Sequence, residues 1–152
     1  MKIKKLNLWL SIVPMVIVMT ACTHVRTEPE VHSVTLQDTQ WRLVQLLDEA
    51  LPEQENVMRH PALMFLPEGR VAGSDGCNRL MGGYHEQGQL LHFTQLASTL
   101  MACVDGMETA DKFNHLITDV RHYHIKEDVL ELFSDSGELL MRFHRETATD
   151  GR

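Results

Sequence analysis

The sequence is short of cysteine, of positive charge and of long hydrophobic runs. Three cysteines stand in 152 residues, too few for a scaffold stapled by several disulfides. No Cys-x-x-Cys pair, His-Glu-x-x-His motif or acidic calcium loop supplies the ligand spacing of a metal centre. Basic residues are outnumbered, 14 Lys+Arg against 21 Asp+Glu. This removes the basic clusters on which binding to nucleic acid or anionic headgroups depends. Low-complexity segments and internal repeats are absent. No nucleophile, base and orienting group can be named together, so an enzyme is not expected, and no cofactor is implied.

The one long apolar run, Leu6 to Met19, lies close to the N-terminus behind Lys2, Lys4 and Lys5. It is too short for a permanent span and reads as a signal peptide over residues 1–21. Met19-Thr20-Ala21-Cys22 places small residues immediately before a cysteine. That pattern resembles the bacterial lipobox, in which the Cys22 thiol receives a diacylglycerol before cleavage at Ala21. Met19 stands where Leu is commoner, and an unbranched apolar side chain fits the same groove. Two or three acyl chains hold such a protein on a membrane without a transmembrane helix. Thr23, rather than Asp, follows the cysteine, which by the lipoprotein sorting rule directs the chain to the periplasmic face of the outer membrane.

Removing residues 1–21 leaves 131 residues, one domain with a core large enough to fold unaided. The three lysines lost take Lys+Arg from 14 to 11 against 21 Asp+Glu, a formal charge of −10. With Cys22 lipidated, Cys77 and Cys103 are the only possible intramolecular pair in a compartment where disulfides persist. Two separately buried thiols are the alternative.

Residues 22–39 comprise Cys22 and a polar segment containing Pro29, which reads as a flexible tether. The domain is expected over 40–145, with a frayed tail at 146–152. Its first strand is expected at Trp41–Leu47, with Trp41, Leu43 and Leu47 inward. Asp48 to His60 reads as an acidic loop broken by Pro52. Ala62–Leu66 alternates, with Leu63 and Phe65 on one face, and Pro67-Glu68-Gly69 turns the chain into a strand at Arg70–Ser74. Leu80–Tyr84 and Leu90–Phe93 form a hairpin around Gly88. Met107, Ala110, Phe113, Ile117 and Val120 then fall three and four apart, predicting a helix over about 105–121. Asp105 and Glu108 have the spacing of an N-terminal capping box. Three short strands follow, carrying Tyr123 and Ile125, Leu130 and Leu132, then Leu139, Met141 and Phe143. This order predicts a β-rich α+β domain: a curved antiparallel sheet or open barrel with one helix over an open face or end.

Two segments differ from ordinary strand sequence: Val71-Ala72-Gly73-Ser74-Asp75-Gly76-Cys77-Asn78-Arg79, and Leu96-Ala97-Ser98-Thr99-Leu100-Met101-Ala102-Cys103 with Gly106-Met107-Glu108. With Trp41 they resemble the META domain of HslJ-type bacterial outer-membrane lipoproteins, over residues 40 to 144. The chain departs from the family pattern at Leu100, where Arg is common, and at Leu80-Met81, where aromatic residues often follow Asn-Arg. The resemblance implies a compact β-rich domain tied to heat-shock or antibiotic-stress responses, with no established catalytic residue. Related domains are connected with secretion and motility, and the shape looks similar to that of lipid-binding secretin pilot lipoproteins.

Ser74, Asp75, Asn78 and Arg79 put polar and charged groups on one glycine-flanked loop. They can clasp a ligand, or they can satisfy backbone groups where a strand bends. Ser98 and Thr99 fit the role of backbone caps. His122-x-His124, with His115 before it on the helix, could hold a metal; with Tyr123 and Ile125 inward, the histidines are expected in solvent and no metal site is assigned. Met58, Met64, Met81, Met101, Met107 and Met141 suit adaptable packing. The function these features support is a lipid-anchored, non-enzymatic envelope module with a protein partner. The alternatives are a carrier of a small apolar ligand such as an acyl chain, or a secretin-pilot-like lipoprotein.

Overall fold

The structure, a computed structural model, describes residues 34–52 and 60–146. The signal peptide, Cys22, the tether up to residue 33, Met58 and tail residues 147–152 lie outside the described residues.

The wall is made of β1 (Gln40–Leu46), β2 (Glu49–Ala50), β3 (Ala62–Leu66), β4 (Arg70–Ser74), β5 (Arg79–Gln87), β6 (Leu90–Ser98), β7 (His122–Lys126), β8 (Val129–Phe133) and β9 (Leu139–Arg145). All but β2 form a ring of antiparallel neighbours, β1-β3-β4-β5-β6-β7-β8-β9 and back to β1. The expected curved sheet or open barrel is therefore a closed barrel, sealed where Trp41 to Leu46 pair with Arg145 to Met141. Closure pairs the outer edges that an open sheet would expose, with β6 and β7 meeting only at Leu90 and His122. The short β2 pairs with the end of β1, inside the segment expected as loop.

Alternation builds most of this wall. Leu63 and Phe65 of β3 are buried between half-exposed Ala62, Met64 and Leu66. Trp41 and Leu43 of β1 are likewise inward. The third inward residue is Leu46, and Leu47, expected in the core, is 37% exposed with φ 49°. A bulge explains the change: the register slips between Leu43 and Gln45, so Val44 is an extra residue and the parity of the strand reverses beyond it. A second slip between Met81 and Gly83 bends β5 and β6, with Gln95 at φ 50°. Backbone comes so close there that a Cβ on Gly82 would stand 2.9 Å from the Thr94 carbonyl oxygen.

The helix α1 (Met107–Leu116) links β6 to β7 and tightens into a 3-10 turn at Ile117–Asp119, inside the expected limits of 105–121. Ala110, Phe113, Leu116, Ile117 and Val120 are buried, as the apolar stripe requires, while Met107 at its head is largely exposed. The capping box does not form. Gly106, in the left-handed region at φ 91°, is the N-cap, and no side chain caps the helix. Glu108 instead pairs with Lys112 one turn on, at 3.1 Å.

Residues 34–39, expected as the end of the tether, are packed on the domain. Leu36 is buried, and its carbonyl accepts the Trp41 indole N–H at 3.2 Å. A buried indole needs such an acceptor. Gln37 forms a parallel bridge to Phe65. Glu146, expected in the tail, donates its N–H to the Gln40 carbonyl at 2.8 Å.

Alternating strand directions give the barrel two unlike rims. One carries the β4–β5 loop, the end of β6 and the start of α1. The other carries Gln40, the Pro67–Gly69 turn and the β5–β6 hairpin, with Val34 to Leu36 beside Gln89, Tyr123 and Ile125.

Candidate functional site

Both motifs lie at the first rim, where β4 ends and β5 begins. The chain must reverse there within residues 75–78, and the reversal is held by one carboxylate. Asp75 is fully buried. Its Oδ1 accepts the backbone N–H groups of Cys77 at 2.8 Å and Asn78 at 2.5 Å. Its Oδ2 accepts the side-chain amides of Asn78 at 3.1 Å and Asn114 at 2.7 Å. Ser74 Oγ accepts the Gly76 N–H at 3.0 Å, completing the turn. Burial alone would raise the Asp75 pKa. The hydrogen bonds from Asn78, Cys77 and Asn114 outweigh it and hold the carboxyl below its ordinary value.

The second motif is fastened to this loop by several bonds. Asn78 Oδ1 accepts the Met101 N–H at 2.8 Å. Thr99 Oγ1 accepts the Arg79 N–H at 3.1 Å, and the Thr99 N–H donates to the Arg79 carbonyl at 3.0 Å. Cys77 and Cys103 are joined by a disulfide, with their Cα atoms 5.9 Å apart. Of the two readings of Ser74, Asp75, Asn78 and Arg79, the geometry favours backbone satisfaction. Three of the side chains are spent inside the joint, and exposed Arg79 enters through its backbone. Thr99 is a cap as expected, but for a residue twenty positions away. Exposed Ser98 pairs in register with Leu80. Asn114 was not legible as a site residue: an isolated Asn on a helix gives no sign of a carboxylate 39 positions earlier.

This joint displays apolar side chains. Leu100 is 98% exposed and Val104 97%, with Met101 at 56% and Met107 at 41%. Met107 Sδ lies 3.8 Å from Cys77 Sγ, so the thioether flanks the bridge. Exposed Asp105 and Glu108 give the patch an acidic border. The nearby ammonium of Lys112 is committed to Glu49 at 2.9 Å and to Glu108.

Large buried side chains pack in the core, the largest being Trp41, Phe65, Phe113 and Phe143. An open groove of about 310 Å³ lies outside the barrel, against Met64, Ala72 and Glu146. Among the described residues, no three or more His, Cys, Asp or Glu side chains are gathered as metal ligands, and His115, His122 and His124 form no such group. Met64 is half-exposed on the outer face and Met81 is 64% exposed, so among the described residues only Met141 of the methionines assigned to packing is in the core.

Comparison with known proteins agrees with this architecture. An NMR structure of a protein from Burkholderia xenovorans superposes with a TM-score of 0.61 at 23% identity, over 81% of this chain and 99% of that one. A second NMR structure matches with a TM-score of 0.57 at 20% identity, over 74% of this chain and 96% of that one. A crystal structure of a duf4847 family protein from Bacteroides vulgatus matches with a TM-score of 0.56 at 12% identity, covering 72% of this chain and 93% of that one. At these identities the likeness is one of fold. No curated protein matches the chain. The META domain family model matches residues 34–147, taking in the docked segment before β1, the barrel and both motifs, and the chain belongs to the META domain family.

Proposed function

We propose that this META domain is a lipid-anchored, non-enzymatic interaction module of the bacterial envelope. Lipid on Cys22 holds it at the periplasmic face of the outer membrane, and the rim carrying Leu100, Met101, Val104 and Met107 docks on an envelope protein. One observation carries the docking: Leu100 and Val104 are almost wholly exposed on a loop fixed by a disulfide and by Asn78. A loop that fixed has already lost much of its freedom, so contact through it carries a small ordering cost. Exposed apolar clusters with a polar border are a mark of protein-binding surfaces. The acidic border calls for a partner with an apolar cleft edged by Lys or Arg. A link to heat-shock or antibiotic stress follows from the HslJ-type resemblance.

The acyl-chain carrier is the weaker reading, because large buried side chains pack in the core. The secretin-pilot reading rests on shape alone.

The test places a photo-crosslinking residue at position 100 or 104, and at Thr118 as a control, in intact cells. A discrete adduct at 100 and 104 that is absent at 118 and weakened by Asp105→Lys supports the reading. Equal labelling at all three positions overturns it. Anchoring is checked separately: Cys22→Ala should release the protein from the membrane fraction and abolish palmitate labelling.

A further inference from the structure

Away from the motif rim, the outer face of the β5–β6 hairpin carries two imidazoles. His85 and His92 are direct register partners, each four residues or fewer from Gly88, where the chain turns at φ 63°. Both are exposed, with ring centroids 5.1 Å apart and ring planes tilted by 35°. We propose that they form a cross-strand chelate for a borderline divalent cation, with Cu2+ the tightest and Zn2+ weaker.

The spacing is what such a chelate requires. A Zn–N or Cu–N bond of about 2.0 Å places the metal about 3 Å from the centroid of each ring. Two rings bound at a near-tetrahedral angle then have centroids about 5 Å apart. Directly opposed residues of an antiparallel pair keep their Cβ atoms in register, so the hairpin fixes the bite of the two ligands before a metal arrives. Imidazole suits both ions, and the general order of divalent affinities puts Cu2+ above Zn2+. The adjacent carboxylate does not compete for the rings, because Glu86 faces the other side of the strand and accepts the Tyr123 hydroxyl. The remaining coordination positions are open to water or a small anion. The site therefore has an exchangeable, exposed character rather than that of a closed structural centre.

The experiment titrates the full-length protein in detergent with Cu2+ and, separately, Zn2+, following the histidine ring signals by NMR and the bound metal by equilibrium dialysis. One saturable equivalent of Cu2+ is expected, with the His85 and His92 signals broadened first. His85→Asn and His92→Asn should each abolish that equivalent while leaving the folded spectrum unchanged, since both side chains are exposed. The double variant His122→Asn/His124→Asn should retain it. Absence of saturable uptake, retention of the equivalent in either single variant, or its loss in the double variant would overturn the proposal.

Discussion

The wall of the barrel and its motif rim are held by different physics. The wall rests on apolar alternation: Trp41, Leu63, Phe65, Leu130, Leu132 and Phe143 are buried because every second residue of a strand faces inward. The rim rests on a buried carboxylate, two side-chain amides, a hydroxyl and a disulfide that connect segments far apart in sequence. Hydrophobic burial is non-directional and tolerates small shifts, whereas each bond at the rim demands one donor at one place. The domain is therefore adaptable in its wall and fixed in geometry at its rim.

The comparison can be challenged by measurement, the severest test first. Trp41→Ala removes the largest buried side chain of the wall and leaves the Leu36 carbonyl without its indole partner. Its expected cost is about 3–5 kcal/mol in urea unfolding. Replacing both bridge cysteines, Cys77→Ser with Cys103→Ser, opens a loop spanning 26 positions. The chain-entropy cost is about 3.5 kcal/mol, and a reductant should reproduce it in the native protein. If the bridge outweighed Trp41, the rim and not the wall would dominate stability.

Asp75→Asn sharpens the contrast through pH. It keeps an oxygen for the backbone N–H groups of Cys77 and Asn78 but turns an amide towards those of Asn78 and Asn114, at a cost of about 1–3 kcal/mol. Because the folded carboxyl lies below its ordinary value, its contribution is complete above the unfolded value of about 4 and disappears as pH falls through the folded one. The urea midpoints of native protein and variant should therefore differ at pH 7 and converge in acid. A gap independent of pH would show that the charge of Asp75 contributes nothing. Smallest of all, Leu100→Ser should change stability by no more than about 0.5 kcal/mol, since the side chain touches little of the fold. The same substitution should suppress crosslinking at Val104.

The wall was largely legible in the sequence because its rule is local. Strand pairs such as Ala62–Leu66 with Arg70–Ser74 follow from alternation and one turn signal. The misreadings fall where a single residue breaks the local rule. Val44 reverses the parity of β1 and exchanges Leu47 for Leu46. Gly106 starts the helix and leaves Asp105 outside it. Leu36 lies in a largely polar stretch, and only the closed barrel provides the surface that buries it. At the rim, the Cys77–Cys103 pairing was reachable because few partners exist. The Asp75–Asn114 bond was not, since nothing in either neighbourhood encodes a partner 39 positions away. The exposure of Leu100 and Val104 was equally hidden, because composition cannot distinguish an apolar residue on display from one inside.

The seating of Val34 to Leu36 at the rim opposite the disulfide gives the molecule a heading. Chain entering from the N-terminal side arrives at one pole, and the bridged loop stands at the other. Among the described residues, the apolar loop and the docked segment are therefore presented to different surroundings, and a partner covering one need not touch the other.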